Sequence, residues 1–181
     1  MTFEVEIKAR VQDYTALKTR LEERYGAGKA QYKSDQYFSR YDEPDDPAFR
    51  FRIEQSEDGE KNHVTAKIKT IEEGVEVNTE VEFSVSDPKA FSAFSAMLDY
   101  TLTIEKTKNG YAWTPAPATT IELTEVGSLG YFLEIEELVE SWDAIKDARA
   151  RILDILTSLG FSEKDIEPRF YIDMLQELRR E

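Results

Sequence analysis

Charged residues recur at every second position in several short stretches, and in each stretch the charge is sorted by sign. Glu4 and Glu6 precede Lys8; Arg50 is followed by Arg52, Lys67 by Lys69, Glu80 by Glu82, Lys106 by Lys108, and Glu134 by Glu136. Apolar residues fill the alternate positions, as in Phe3, Val5 and Ile7 or Leu133 and Ile135. Side chains in a strand alternate between faces, so residues two apart share one face. A half-exposed sheet with its charged face in water would also alternate. Such a face normally mixes Thr, Ser, Gln, Lys and Glu, whereas like charges along one strand repel and folding does not ask for them. Sorting acquires a purpose if the sheet closes into a barrel with these faces inward, so that acids and bases meet across a lumen. Arg and Lys there would hold phosphate oxygens and carboxylates would hold Mg²⁺ or Mn²⁺, the arrangement a polyphosphate needs.

The elements that must position these residues follow from periodicity. Strands are predicted at Phe3–Val11, Gln31–Arg40, Phe49–Gln55, His63–Ile71, Val75–Val85, Leu102–Trp113, Thr119–Val126 and Tyr131–Val139. Glu122 and Thr124 share a face of the seventh, and Gly127-Ser128-Leu129-Gly130 joins the last two as a hairpin. A helix from about Asp13 to Tyr25 carries Tyr14, Leu17, Leu21 and Tyr25 at helical spacing and ends at Gly26. Ser86-Asp87-Pro88 opens a second helix whose buried face is read as Phe91, Phe94 and Leu98. Ser141 caps a third, with Ile145, Ala148, Ile152, Ile155, Leu156 and Leu159 inward, and a fourth runs from about Pro168 to Arg179. Strands in succession with helices between groups of them predict an antiparallel α+β fold in a single domain over 1–181.

Composition narrows the functions. With 181 residues and a net charge of −14, a general affinity for nucleic acid or an anionic membrane is not expected. An anionic substrate therefore requires a local concentration of Lys and Arg. No apolar run is long enough to span a bilayer, and Met1-Thr2-Phe3-Glu4 enters a strand pattern without a signal-peptide core, so a cytoplasmic protein is expected. Cysteine is absent and His63 is the only histidine, which argues against zinc. His63 itself reads as a surface residue near a turn, and Trp113 and Trp142 as buried.

Glu4-Val5-Glu6-Ile7-Lys8 at the head of a first strand resembles the signature of the CYTH superfamily, the triphosphate tunnel metalloenzymes. It is followed in order by Asp35-Gln36-Tyr37-Phe38, Phe49-Arg50-Phe51-Arg52, Lys67, Glu80-x-Glu82, Lys106-x-Lys108 and Gly127 to Glu136. Glu167-Pro168-Arg169-Phe170-Tyr171 is similar to the tail of the class IV adenylyl cyclase branch. The resemblance spans essentially the whole chain. It implies an eight-stranded antiparallel closed β-barrel, a tunnel with a charged lumen and helices packed outside. It also implies a nucleoside or inorganic triphosphate as substrate and Mg²⁺ or Mn²⁺ as cofactor; the oligomeric state stays open, a homodimer included.

Carried over residue by residue, the resemblance implies Glu4, Glu6, Glu80, Glu82, Glu122, Glu134 and Glu136 as metal ligands or their support. Phosphates would be held by Lys8, Arg50, Arg52, Lys67, Lys69, Lys106, Lys108 and Arg169, and Tyr171 would close one end of the tunnel with Arg169. Glu4, Glu6, Lys8, Lys67 and Glu134 would form the catalytic group. Two positions depart from the family's pattern. Thr124 stands where many members have Asp, and Lys108 where many have Arg, which keeps the charge but loses the bidentate fork. The reaction implied first is cyclisation of ATP to cyclic AMP and pyrophosphate; hydrolysis of tripolyphosphate or thiamine triphosphate would use the same apparatus. A non-catalytic nucleotide or polyphosphate module is the reading that Thr124 favours, and the sorted charges argue against a lipocalin-like apolar barrel.

Overall fold

The computed structural model describes residues 2–72 and 75–180, without the side chains of Lys69, Thr70 and Glu72. Among the described residues eight strands close into one antiparallel barrel: β1 (Phe3–Arg10), β2 (Lys29–Arg40), β3 (Pro47–Ser56), β4 (Gly59–Glu72), β5 (Val75–Ser84), β6 (Tyr100–Ala116), β7 (Thr119–Val126) and β8 (Gly130–Val139). The order around the barrel is β1-β5-β4-β3-β2-β6-β7-β8, returning to β1. Closure is made by β1, which pairs Glu6 with Glu76 of β5 on one side and Lys8 with Glu134 of β8 on the other. The α+β class and the eight strands agree with the sequence reading.

The apolar core lies outside this barrel. Val5, Ile7 and Ala9 of β1 point outward, joined by Val75, Val77, Ile121, Leu123, Leu133 and Ile135. Two helices cover them: α1 (Tyr14–Tyr25) through Leu17 and Leu21, and α3 (Ile145–Ser158) through Ile145, Ala148, Ile152 and Leu156. Asp13 caps α1 by accepting from the Ala16 amide at 2.9 Å. The helix stops at Gly26, whose φ of 82° suits a residue without a Cβ. The Trp113 indole N–H then donates to the Gly26 carbonyl at 2.9 Å, tying that end to β6. Ser141 precedes a 3₁₀ turn, Trp142–Ala144, rather than capping α3 directly, and Trp142 is exposed against Phe3 instead of buried.

The second helix, α2 (Pro88–Met97), is capped by Asp87 with proline at its first position, as expected. Its buried face differs from the prediction. Phe91 inserts among Phe38, Phe49 and Phe51, and Ser95, one turn on, is the other inward residue. Phe94 and Leu98 are 59% and 51% exposed, because the contact follows the i, i+4 row through Phe91 and not the i+3 row. The last helix, α4 (Tyr171–Arg180), is placed against one end of the barrel. Ile172 and Leu175 pack on Tyr37 and Ile104, and Tyr171 and Met174 on Val126 and Phe132. The segment leading to it is held by the Glu167 amide, which donates to the Lys8 carbonyl at 2.8 Å. No helix among the described residues is long and apolar enough to cross a membrane.

Candidate functional site

With the apolar face turned outward, the pleat sends the charged face of every strand inward. The lumen opens into two cavities of about 700 and 720 Å³, counting their mouths. Glu6, Arg50, Arg52, Lys67, Lys108 and Glu134 line both. The half beside α4 adds Lys8, Lys106, Glu76 and an aromatic and apolar rim of Pro47, Phe49, Phe170 and Ile172. The far half is acidic, with Glu4, Glu54, Glu80, Glu82, Glu122 and Glu136.

Most cations are already partnered. Arg52 grips Asp35 with a fork of 2.6 and 2.9 Å, and Lys106 reaches the same carboxylate at 3.0 Å. Burial alone would raise the Asp35 carboxyl, but Arg52 and Lys106 hold it well below the usual carboxylate range. Glu122 is paired with Lys33 and lies 3.4 Å from Lys108; burial is again outweighed by the two lysines and its carboxyl is lowered. Lys108 also holds Glu134 at 2.5 Å, and Lys67 holds Glu4 and, at 2.5 Å, Glu80. Lys8 reaches Glu76 at 3.1 Å. Arg50 donates to Thr65 at 3.0 Å, which donates to Glu82 at 2.8 Å.

The β1–β8 side has more acid than base. Burial raises Glu6 well above the usual range, and Glu76, Glu134 and Glu4 add to it. Glu136 is pushed up to about 8 by burial, then by Glu4 and Glu122. Neighbouring carboxylates that cannot all ionise are a charge deficit that a divalent cation would fill. Among the described residues no three acidic side chains already converge in metal-binding geometry. Lys67, Lys8 and Lys108 hold Glu4, Glu76 and Glu134 instead. The donor set nonetheless fits Mg²⁺ or Mn²⁺, since every candidate ligand is a hard carboxylate oxygen.

The predicted residues Glu4, Glu6, Lys8, Arg50, Arg52, Lys67, Lys106, Lys108, Glu122, Glu134 and Glu136 are therefore brought together, and Tyr171 with them. Glu80 and Glu82 line the far half with Glu4, Glu122 and Glu136, and Glu80 shares Lys67 with Glu4. Arg169 is not brought in: it is exposed, held by Glu167 at 2.6 Å and Glu177 at 3.0 Å. The Lys69 side chain lies outside the described residues. Thr124 is fully buried on the barrel wall and its Oγ1 makes no hydrogen bond.

Several lumen residues had no role in the sequence reading. Glu76 faces Glu6 across the β1–β5 pair, and Asn78 bridges Glu76 at 2.9 Å and Glu4 at 3.2 Å. Lys33, Asp35 and Tyr37 form one alternating row on β2, a signal present in the sequence but of mixed charge. His63 lines the far cavity 3.6 Å from Glu82 rather than lying outside.

The CYTH domain pattern matches residues 2–171. The chain belongs to the CYTH domain family. No protein of curated function matches it. Among solved structures, the PH1819 protein of Pyrococcus horikoshii OT3 is 26% identical, with a TM-score of 0.85 over 97% of this chain and 99% of that one. A Vibrio parahaemolyticus protein provisionally named an adenylate cyclase is 15% identical, with a TM-score of 0.76 over 96% and 98%. The Hippeastrum protein HpAC1, described as having a dominant triphosphatase activity, is 15% identical, with a TM-score of 0.57 over 89% of both chains. CYTH tunnel enzymes process triphosphates and generally depend on a divalent metal.

Proposed function

We propose that this CYTH protein is a Mg²⁺- or Mn²⁺-dependent enzyme acting on a triphosphate in its lumen, with cyclisation of ATP to cyclic AMP and pyrophosphate as the leading reaction. The observation that carries the reading is the convergence of Lys8, Arg50, Arg52, Lys67, Lys106 and Lys108 on a cavity whose β1–β8 side has unbalanced carboxylates. The cations seat the phosphate chain, exchanging some ion pairs with protein carboxylates for phosphate oxygens. Glu4, Glu6, Glu134 and Glu136 hold the metal, with Glu76 and Asn78 fixing Glu4 and Lys8 beside them. When bound, the metal neutralises charge on the leaving pyrophosphate and lowers the pKa of the attacking oxygen.

In the cyclase reading the ribose 3′-oxygen attacks the α-phosphorus, the α–β bridging bond breaks, and pyrophosphate departs. Lys8, Lys106 and Lys108 neutralise and orient the departing group. The rim of Pro47, Phe49, Phe170 and Ile172 beside these lysines favours an organic triphosphate over an inorganic one. Hydrolysis is the second reading, with water attacking the terminal phosphorus; the wide, polar far cavity admits that water.

The test is incubation with ATP and, separately, tripolyphosphate, each with Mg²⁺ or Mn²⁺, followed by chromatography of the products. The double variant Glu4→Gln, Glu6→Gln controls for contaminating activity. Cyclic AMP with pyrophosphate, lost in the variant, supports cyclisation; phosphate without cyclic AMP supports hydrolysis. Binding without turnover of either compound would replace both with a non-catalytic module.

A further inference from the structure

Tyr171, the first residue of α4, enters the barrel end with its ring among three ammonium groups. Lys106 Nζ lies 4.9 Å from the ring centroid, Lys108 Nζ 5.2 Å and Lys8 Nζ 5.5 Å, all within cation–π reach. Phe132 packs edge-on at 5.0 Å and fixes the ring. The residue is 8% exposed, yet its hydroxyl makes no hydrogen bond. A buried hydroxyl without a partner is costly and uncommon in a folded protein, so it asks for an explanation.

The surroundings specify what is missing. Lysine ammonium groups only donate, so none of the three can accept the phenol proton. A phenol keeps its proton at neutral pH, so the hydroxyl is available as a donor. The Glu134 carboxylate is close by, but it is engaged by Lys108 at 2.5 Å, and its approach to the Tyr171 hydroxyl falls short of hydrogen-bond geometry. The site is thus one O–H donor beside three cations, lining a cavity and lacking one acceptor. An oxygen of a multiply charged anion supplies that acceptor and neutralises the lysines together.

We propose that the Tyr171 hydroxyl is a substrate-binding group, donating a hydrogen bond to a phosphate oxygen of a triphosphate seated among Lys8, Lys106 and Lys108. This rests on the triphosphate reading above and adds to it a specific donor from outside the strands.

Calorimetric titration of the full chain with tripolyphosphate and with ATP, each without metal and with Mg²⁺, compares the wild type with Tyr171→Phe and Tyr171→Leu. Removing only the oxygen is expected to weaken binding about tenfold or more, as for a hydrogen bond to a charged group. The ligand-free Tm of Tyr171→Phe is expected to stay level or rise, because the lost hydroxyl had no partner. Where turnover is measurable, KM rises by a similar factor and kcat changes little. Tyr171→Leu, which also removes the ring, is expected to bind more weakly still. Wild-type affinity in Tyr171→Phe would overturn the assignment and leave the triphosphate reading standing. If the wild type binds neither compound, both fall together.

Discussion

On the wall built from β2, β3, β6 and β7, the two buried acids have their counter-ions: Asp35 lies between Arg52 and Lys106, and Glu122 between Lys33 and Lys108. On the wall built from β1, β5 and β8, Glu6 and Glu136 face other carboxylates and are held toward their protonated forms. The two walls use the same residue types in nearly the same burial, so burial does not separate them. What separates them is charge balance. The first wall is a completed ionic network, and the second is left short of positive charge.

The contrast can be broken from either side, and the largest effect is expected on the unbalanced wall. Glu6→Gln should lower metal-dependent turnover of a triphosphate by about 10²–10³-fold, the scale of removing one electrostatic stabiliser. Its metal-free stability in urea should hold or increase, because a repelled carboxylate is gone. A large loss of stability in that variant would mean that Glu6 is structural and that the two walls are alike.

Asp35→Asn should do the reverse in stability terms. It strands Arg52 and Lys106 in a site where the carboxylate is 1% exposed, and breaking such a buried pair costs about 3–5 kcal/mol. Urea denaturation at pH 7 measures it. The same carboxylate predicts an acid limb. Its folded-state pKa is lowered, so its contribution is fully present above the unfolded value near 3.9 and is lost as pH falls below that toward the lower folded value. Stability measured from pH 5 to pH 2 should therefore fall more steeply for the wild type than for Asp35→Asn; equal slopes would remove Asp35 from the acid response.

The smallest effect is expected at Thr124. Its Oγ1 is buried and unpartnered, so Thr124→Val, nearly equal in shape, should change stability by no more than about 1 kcal/mol. A substantially larger loss would show that the hydroxyl is bonded, through water for instance, and belongs to the network.

Much of this arrangement is legible in the sequence because strand alternation is a local property. The sorted pairs on β1, β3, β6 and β8 name the lumen face, and the outward apolar rows name the surface that α1 and α3 must cover. Depth along the tunnel is not local, and alternation does not order residues along it. Glu80-x-Glu82 looks like the acidic pair of β5, but the register of β1 on β5 sets Glu76 and Asn78 opposite Glu6 and Glu4, leaving the later pair nearer the far mouth. Asp35 is visible within a motif but gains its meaning from Arg52 and Lys106, residues 17 and 71 positions away that the pairing of β2 with β3 and β6 sets directly opposite it. Arg169 shares a motif with Tyr171, yet it lies before α4 and turns to Glu167 and Glu177, whereas Tyr171 opens the helix and lines the barrel cavity. The face of α2 depends on which row meets Phe38, Phe49 and Phe51, and spacing along one helix does not decide between neighbouring rows.

Because β1 must find both β5 and β8, the barrel closes only after nearly the whole chain is available. Contacts so distant in sequence make for slow folding, and slow folding leaves partly formed sheets exposed. Most such sheets would show water an apolar inner face. Here the inner face is a field of carboxylates and ammonium groups that water solvates well, and only the outer face needs shelter, which α1 supplies to β1 from the adjoining stretch of chain. The charge of the lumen thus doubles as a safeguard during synthesis: an unclosed barrel presents its future lumen to solvent as a well-hydrated surface.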